Sequence, residues 1–181
     1  MKKTFIYTTL SLIITAALIS CTKSDTTASV TPSGASFTLR GYNYNIPSGA
    51  GYTTFQVANG LDVMICYGQT SDNKAKAFVY AGFYGTSKPV AGTYNVVGAS
   101  PTAANQVFVS ALDSISVAKE GIFNATGTDK VTATVAVDAA GKITLTLPTI
   151  QLSGSNVDNT NPSNTVSTNI TTTLSGTLKE Q

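Results

Sequence analysis

Lys130-Val131-Thr132-Ala133-Thr134-Val135-Ala136-Val137-Asp138-Ala139-Ala140-Gly141-Lys142-Ile143-Thr144-Leu145-Thr146-Leu147 is the stretch that decides the fold. Val131, Ala133, Val135 and Val137 alternate with small or polar residues, and after Asp138–Lys142 the alternation resumes with Ile143, Leu145 and Leu147. A period of two is that of a strand with one buried face, and no helical period fits the same residues. Gly141 supplies the positive φ that a tight return demands. The unit reads as an antiparallel hairpin with one face in a core.

The same punctuation extends along the chain. Tyr52–Val57, Asn59-Gly60 and Leu61–Tyr67 read as a second hairpin. Ser36–Ile46 changes phase at Arg40-Gly41, which predicts a bulge or a tight turn there. Ala75–Tyr84 is apolar on both faces and reads as a central strand, and Pro89–Val97, Gln106–Leu112, Ser114–Ala118 and Asn169–Leu178 follow. Asn156–Ser167 is polar, contains Pro162 and reads as an exposed loop. About eight to ten short strands with regular turns predict an all-β fold, an antiparallel β-sandwich, with a lipocalin-like closed β-barrel as the alternative.

The chain has 181 residues, of which residues 35–181 are expected to form one all-β domain. Its formal charge of +2 belongs to Lys2 and Lys3, so the remainder, with nine bases and nine acids, is neutral. A neutral chain with scattered charges has no electrostatic footprint for nucleic acid. Residues 1–20 read as a removable signal: Lys2 and Lys3, an apolar run from Phe5 to Leu18, then Leu18-Ile19-Ser20-Cys21. The run carries Tyr7, Thr8, Thr9, Ser11 and Thr15 and falls short of the roughly twenty apolar residues a spanning helix needs.

Leu18-Ile19-Ser20-Cys21 resembles the lipobox of bacterial lipoproteins. The resemblance implies cleavage after Ser20 and acylation of Cys21 by a diacylglycerol thioether and an N-acyl chain. That is more than stable anchoring needs. Residues 21–34 then read as the lipidated cysteine and a Thr/Ser-rich tether. Thr22, where an inner-membrane retention signal has aspartate, implies an outer-membrane address in the cell envelope. Pro89-Val90-Ala91-Gly92-Thr93-Tyr94, Gly141-Lys142-Ile143-Thr144 and Leu174-Ser175-Gly176-Thr177-Leu178 are similar to segments of small Bacteroidota lipoproteins. That family implies an all-β fold in the envelope and mostly no assigned activity. Thr26 in Asp25-Thr26-Thr27 and Ser114 in Asp113-Ser114-Ile115 resemble the acceptors at which Bacteroidota attach O-glycans.

The whole sequence contains no histidine, which removes Ser-His-Asp and Cys-His catalysis and imidazole-ligated metals. With Cys21 lipidated, Cys66 is the one thiol left; set among Val63, Met64, Ile65 and Tyr67, it reads as a small buried hydrophobe. Ser71-Asp72-Asn73-Lys74 matches S-x-x-K and S-D-N in one tetrapeptide, whereas the enzymes using them draw the motifs from separate elements. A polar turn is the plainer reading, and Ser116–Lys119 is a second chance match. A glycosidase needs two carboxylates roughly 5–10 Å apart across a cleft. Most acids here fall in turns or tails; Asp62 lies inside an apolar strand, where it either faces solvent at an edge, the commoner case, or is paired and perturbed. Asp158 is alone among asparagines in its loop, where a calcium site would want several carboxylates.

All seven tyrosines after Tyr7 fall in the first half of the domain, and Trp is absent. Tyr42, Tyr44 and Tyr52, near Gly49 and Gly51, are the candidates for a binding row, since tyrosine joins a flat apolar face to a polar tip. The expectation is a non-catalytic envelope module, binding or structural, with no cofactor beyond the lipid and no metal. Its partners are the membrane, through the anchor, and an envelope protein or glycan. The alternatives are a lipocalin-like binder of a small apolar ligand, a carbohydrate-binding surface lipoprotein and, from another class, a carboxylate-based hydrolase.

Overall fold

The structure, a computed structural model, describes residues 32–49, 51–116, 119–158 and 166–181. Its strands are β1 (Pro32–Leu39), β2 (Tyr42–Pro47), β3 (Thr53–Ala58), β4 (Leu61–Gln69), β5 (Lys76–Tyr84) and β6 (Gly92–Val97). β7 (Gln106–Ser116), β8 (Lys119–Ala125), β9 (Thr132–Val137), β10 (Ile143–Asp158) and β11 (Val166–Lys179) follow. The expected all-β class is the one the chain adopts. It takes the form of one eleven-stranded mixed sheet rather than two separate ones. The pairing path runs β11–β1–β2–β4–β5–β7–β6–β9–β10, and β10 pairs with β11 again, so the path closes on itself. β8 bridges β7 and β10, β3 lies along β4, and β6 beside β7 is the parallel pair.

A single long strand explains why two sheets become one. β10 runs for 16 residues and shifts register between Leu147 and Ile150, around Pro148. Proline has no N–H to give a ladder, so a bulge is where it fits within a sheet. Before the shift β10 pairs with β9 in the hairpin read from sequence; after it the strand pairs with β8. The hairpin β3–β4 and the turn at Arg40-Gly41 are also as read, with φ of 55° and 80° at the latter pair.

Two sequence expectations need correction. Asn156–Ser167 is not wholly a loop, since β10 extends to Asp158 and β11 begins at Val166; 159–165 lie outside the described residues. β1 begins at Pro32, inside the stretch assigned to the tether, and pairs Pro32 with Pro47.

The core follows the alternation. In β4, Asp62, Met64, Cys66 and Gly68 are buried on one face while Leu61, Val63, Ile65 and Tyr67 are half-buried on the other. The inner face joins Phe37, Tyr44, Phe83, Phe123, Leu145 and Leu152 with many smaller side chains in one cluster. Phe37 stacks on Tyr44 at 5.1 Å, directly over Gly68, where a Cβ would lie 2.6 Å from the Phe37 ring. The other face carries a smaller cluster of Tyr80 and Leu112, flanked by Val63, Ile65, Phe78 and Ile122.

Candidate functional site

Across β8, β10 and β11 the sheet forms an open groove of about 790 Å³. Strand register decides its lining. Ile122 and Asn124 of β8 stand opposite Ser155 and Ser153 of β10, which stand opposite Asn169 and Thr171 of β11. Glycine permits the close approach of β8 and β10, because a Cβ on Gly154 would lie 1.9 Å from the Ile122 carbonyl oxygen. Gly98, following β6, approaches the Thr126 carbonyl at the groove's end just as tightly, with 2.3 Å for its own Cβ position.

The groove carries hydroxyls and amides and no ionisable side chain. Ser155 Oγ donates to Asn169 Oδ1 at 3.2 Å, crossing its width. Asn124 Oδ1 is buried without a hydrogen-bond partner. Ile122 gives it an apolar patch, while Ile170, out of phase with Asn169 and Thr171, packs against the core. Such a surface forms neutral hydrogen bonds and has no group to hold a proton or a charge for catalysis.

Two ion pairs stand at the two ends of the sheet's inner face, Arg40–Asp113 and Lys88–Glu180. Asp113 is fully buried on β7, where Nη1 of Arg40, from the β1–β2 turn, donates to both its oxygens at 3.1 and 3.4 Å. The guanidinium lies 5.4 Å from the Phe123 ring centroid. Burial pushes the Asp113 carboxyl above its ordinary range, against the opposing pull of Arg40 and the Gly121 N–H. Register continues this layer to Asn156, whose Oδ1 is buried and unpartnered, as is the Tyr44 hydroxyl. Burial, then the nearby Asp113 charge, raise the Tyr44 hydroxyl's pKa.

At the other end Asp62 is 4 % exposed, and its Oδ2 has no partner. This corrects the expectation of an edge residue in solvent. β4 has neighbours on both sides at this point, β3 and β5, so position 62 is interior. Burial raises its pKa; the Lys88 charge opposes that and the Glu180 charge adds to it. Lys88 pairs with Glu180, lies 4.9 Å from the Phe55 ring centroid, and Glu180 Oε2 accepts the Ile143 N–H at 3.0 Å.

The sequence-derived candidates scatter. Tyr44 is wholly buried and Tyr52 is half-buried against the core, so Tyr42, at 44 % exposure, is the one of the three open to solvent. Tyr42 and Tyr44 share one face of β2, but Tyr42 stands at the strand's first position while Tyr44 and Ile46 pack into the core. No row forms from these three. Ser114 sits within β7, half-buried and paired with both Lys76 and Glu120, rather than in an open acceptor loop. Cys21 and Thr26 lie outside the described residues.

Cys66 is a core residue, fully buried, its thiol donating to Thr53 Oγ1 at 3.5 Å. Burial pushes its pKa up to about 12. Ser71–Lys74 forms the β4–β5 turn, where Asp72 Oδ1 accepts from Thr70 Oγ1 and the Lys74 N–H and Asn73 takes a φ of 58°. Asp158 belongs to β10 and pairs with Lys119 at 3.6 Å. Among the described residues no three carboxylate or cysteine side chains gather as a metal site would require. The groove and the Arg40–Asp113 pair were not visible in the sequence. A polar, uncharged alternation such as Ser153–Ser155 beside Asn169–Thr171 is the one trace the groove leaves there. Compared with known proteins, the chain matches no family model, no curated protein and no solved structure.

Proposed function

We propose that the chain is a lipid-tethered, non-catalytic binding module of the cell envelope, anchored through Cys21 in the outer membrane. The observation that carries the non-catalytic part is the disposition of the reactive groups. The Cys66 thiol is buried and held protonated, Asp113 is closed off by Arg40, and Ser71 and Lys74 belong to a solvated turn. A nucleophile needs an adjacent base or a lowered pKa, and burial shifts the Cys66 thiol the opposite way. A hydrolase working through carboxylates would need two acids facing one cleft. The groove has no acid in its lining.

Binding is the activity left to the surface that remains. The inner side chains pack as one continuous cluster, which favours the outer groove over a lipocalin-like interior as the place for a ligand. The anchor is tested by fractionating cells that express the wild type and Cys21→Ala. The wild type should pellet with the outer membrane as a processed form, and Cys21→Ala should accumulate as unprocessed precursor. Identical processing and identical partition of the two would refute the anchor.

A further inference from the structure

We propose that the groove across β8, β10 and β11 binds a neutral oligosaccharide. The inference rests on the binding-module reading and names the ligand class. Charge comes first: with no Lys, Arg, Asp or Glu in the lining, nothing there selects a phosphate, a uronic acid or an ammonium group. Hydrogen-bonding capacity comes next. Asn124, Thr126, Ser153, Ser155, Asn169 and Thr171 offer hydroxyls and amides, which both donate and accept, as sugar hydroxyls do.

Ile122, on the same face as Asn124, Ser153, Ser155, Asn169 and Thr171, supplies an apolar contact of the kind the C–H face of a pyranose ring seeks. A volume of about 790 Å³ lies within the usual range for small-molecule sites, roughly 300–1,000 Å³. Asn124 adds a demand of its own. An amide oxygen buried without a donor is destabilising, and a ligand hydroxyl supplies that donor once the amide turns toward the groove. An extended peptide is the less fitting occupant, because it would pair through the backbone of a free strand edge. β11 leaves one edge free over Asn169–Thr171, since β1 pairs with it only from Leu174 on, but that edge is on the side away from β10, whereas the groove offers side chains of β8, β10 and β11.

The test is titration calorimetry on the full-length protein in detergent. The probes are neutral trisaccharides of glucose, mannose, xylose and N-acetylglucosamine, with trigalacturonate as the charged comparison. At least one neutral trisaccharide should bind, and Thr171→Arg, on an exposed position of β11, should weaken it by roughly tenfold or more. Asn169→Ala, which adds no bulk, should weaken it in the same direction with an unchanged melting temperature. Failure of every neutral probe, binding of trigalacturonate alone, or affinity untouched by both variants would overturn the proposal. Processing at Cys21 with no sugar bound strikes the groove alone, and sugar bound without processing strikes the anchor alone.

Discussion

Asp62 is a carboxylate in the wrong place for stability. It is buried beside Met64 and Phe83, its Oδ2 has no partner, and the nearby Lys88 is already engaged by Glu180. Its folded pKa lies above the ordinary 3.8, so the folded chain holds the Asp62 proton more tightly than the unfolded chain does. By linkage, Asp62 destabilises the fold where it is ionised. That penalty fades as pH falls through its raised pKa and is gone below about 3.8. Asp72 and Asp138 act with the opposite sign. Hydrogen bonds hold their pKa values low, so their stabilisation is lost as pH falls through those lowered values. Comparing wild type with Asp62→Asn isolates the first effect. The variant should melt no lower than wild type at pH 7, and the wild type should gain on it steadily down to pH 4. A marked loss at pH 7 in Asp62→Asn would mean that attraction to Lys88 outweighs burial.

β8 shows both what the elements require and how much of them was legible. Gly154 of β10 faces the Ile122 carbonyl so closely that any side chain must push the two strands apart. Gly154→Ala is therefore expected to cost about 1–3 kcal/mol, the range of an overpacked interior. Urea denaturation measures it, and a cost near zero would show that β8 and β10 do not approach as described. The hairpin β9–β10 was readable because one of its faces is buried and the other solvated, which writes a period of two into the residues. β8 was not readable for the opposite reason. Phe123 enters the core while Ile122 joins the cluster on the other face, so adjacent apolar residues erase the alternation. Lys119, Glu120 and Gly121 further disguise a strand as a turn, although Gly121 is glycine because a Cβ would strike Phe123 at 2.4 Å. The central placement of β5 was legible from its unbroken apolar run, whereas its antiparallel partner β7 and the parallel pairing of β7 with β6 were not, since pairing partners distant in sequence leave no local mark.

At the scale of the whole molecule, closure and charge act together. The strand path returns on itself through β10 and β11, which leaves few edges to protect and encloses one apolar interior. Asp62 and Gly68 stand at opposite ends of β4, roughly 20 Å apart at the usual rise per residue. Each end of that interior carries an ion pair, Lys88–Glu180 near Asp62 and Arg40–Asp113 near Gly68. Partner removal at the better buried pair would strand a desolvated charge, the situation in which buried ion pairs matter most. The candidate site belongs to the same architecture: the apolar side chains fill the inside, and the groove across β8, β10 and β11 carries a neutral lining. None of this was readable from charge counts, because Arg40 and Asp113 stand 73 positions apart in the chain.

The proposed lipid anchor would join this domain to a membrane, and the mass of the mature protein tests that most directly. Protein extracted from native membranes should lack residues 1–20 and carry a diacylglycerol and an N-acyl chain on Cys21. A mass matching the full unmodified sequence, or a cleaved chain with a free Cys21 thiol, would contradict the account.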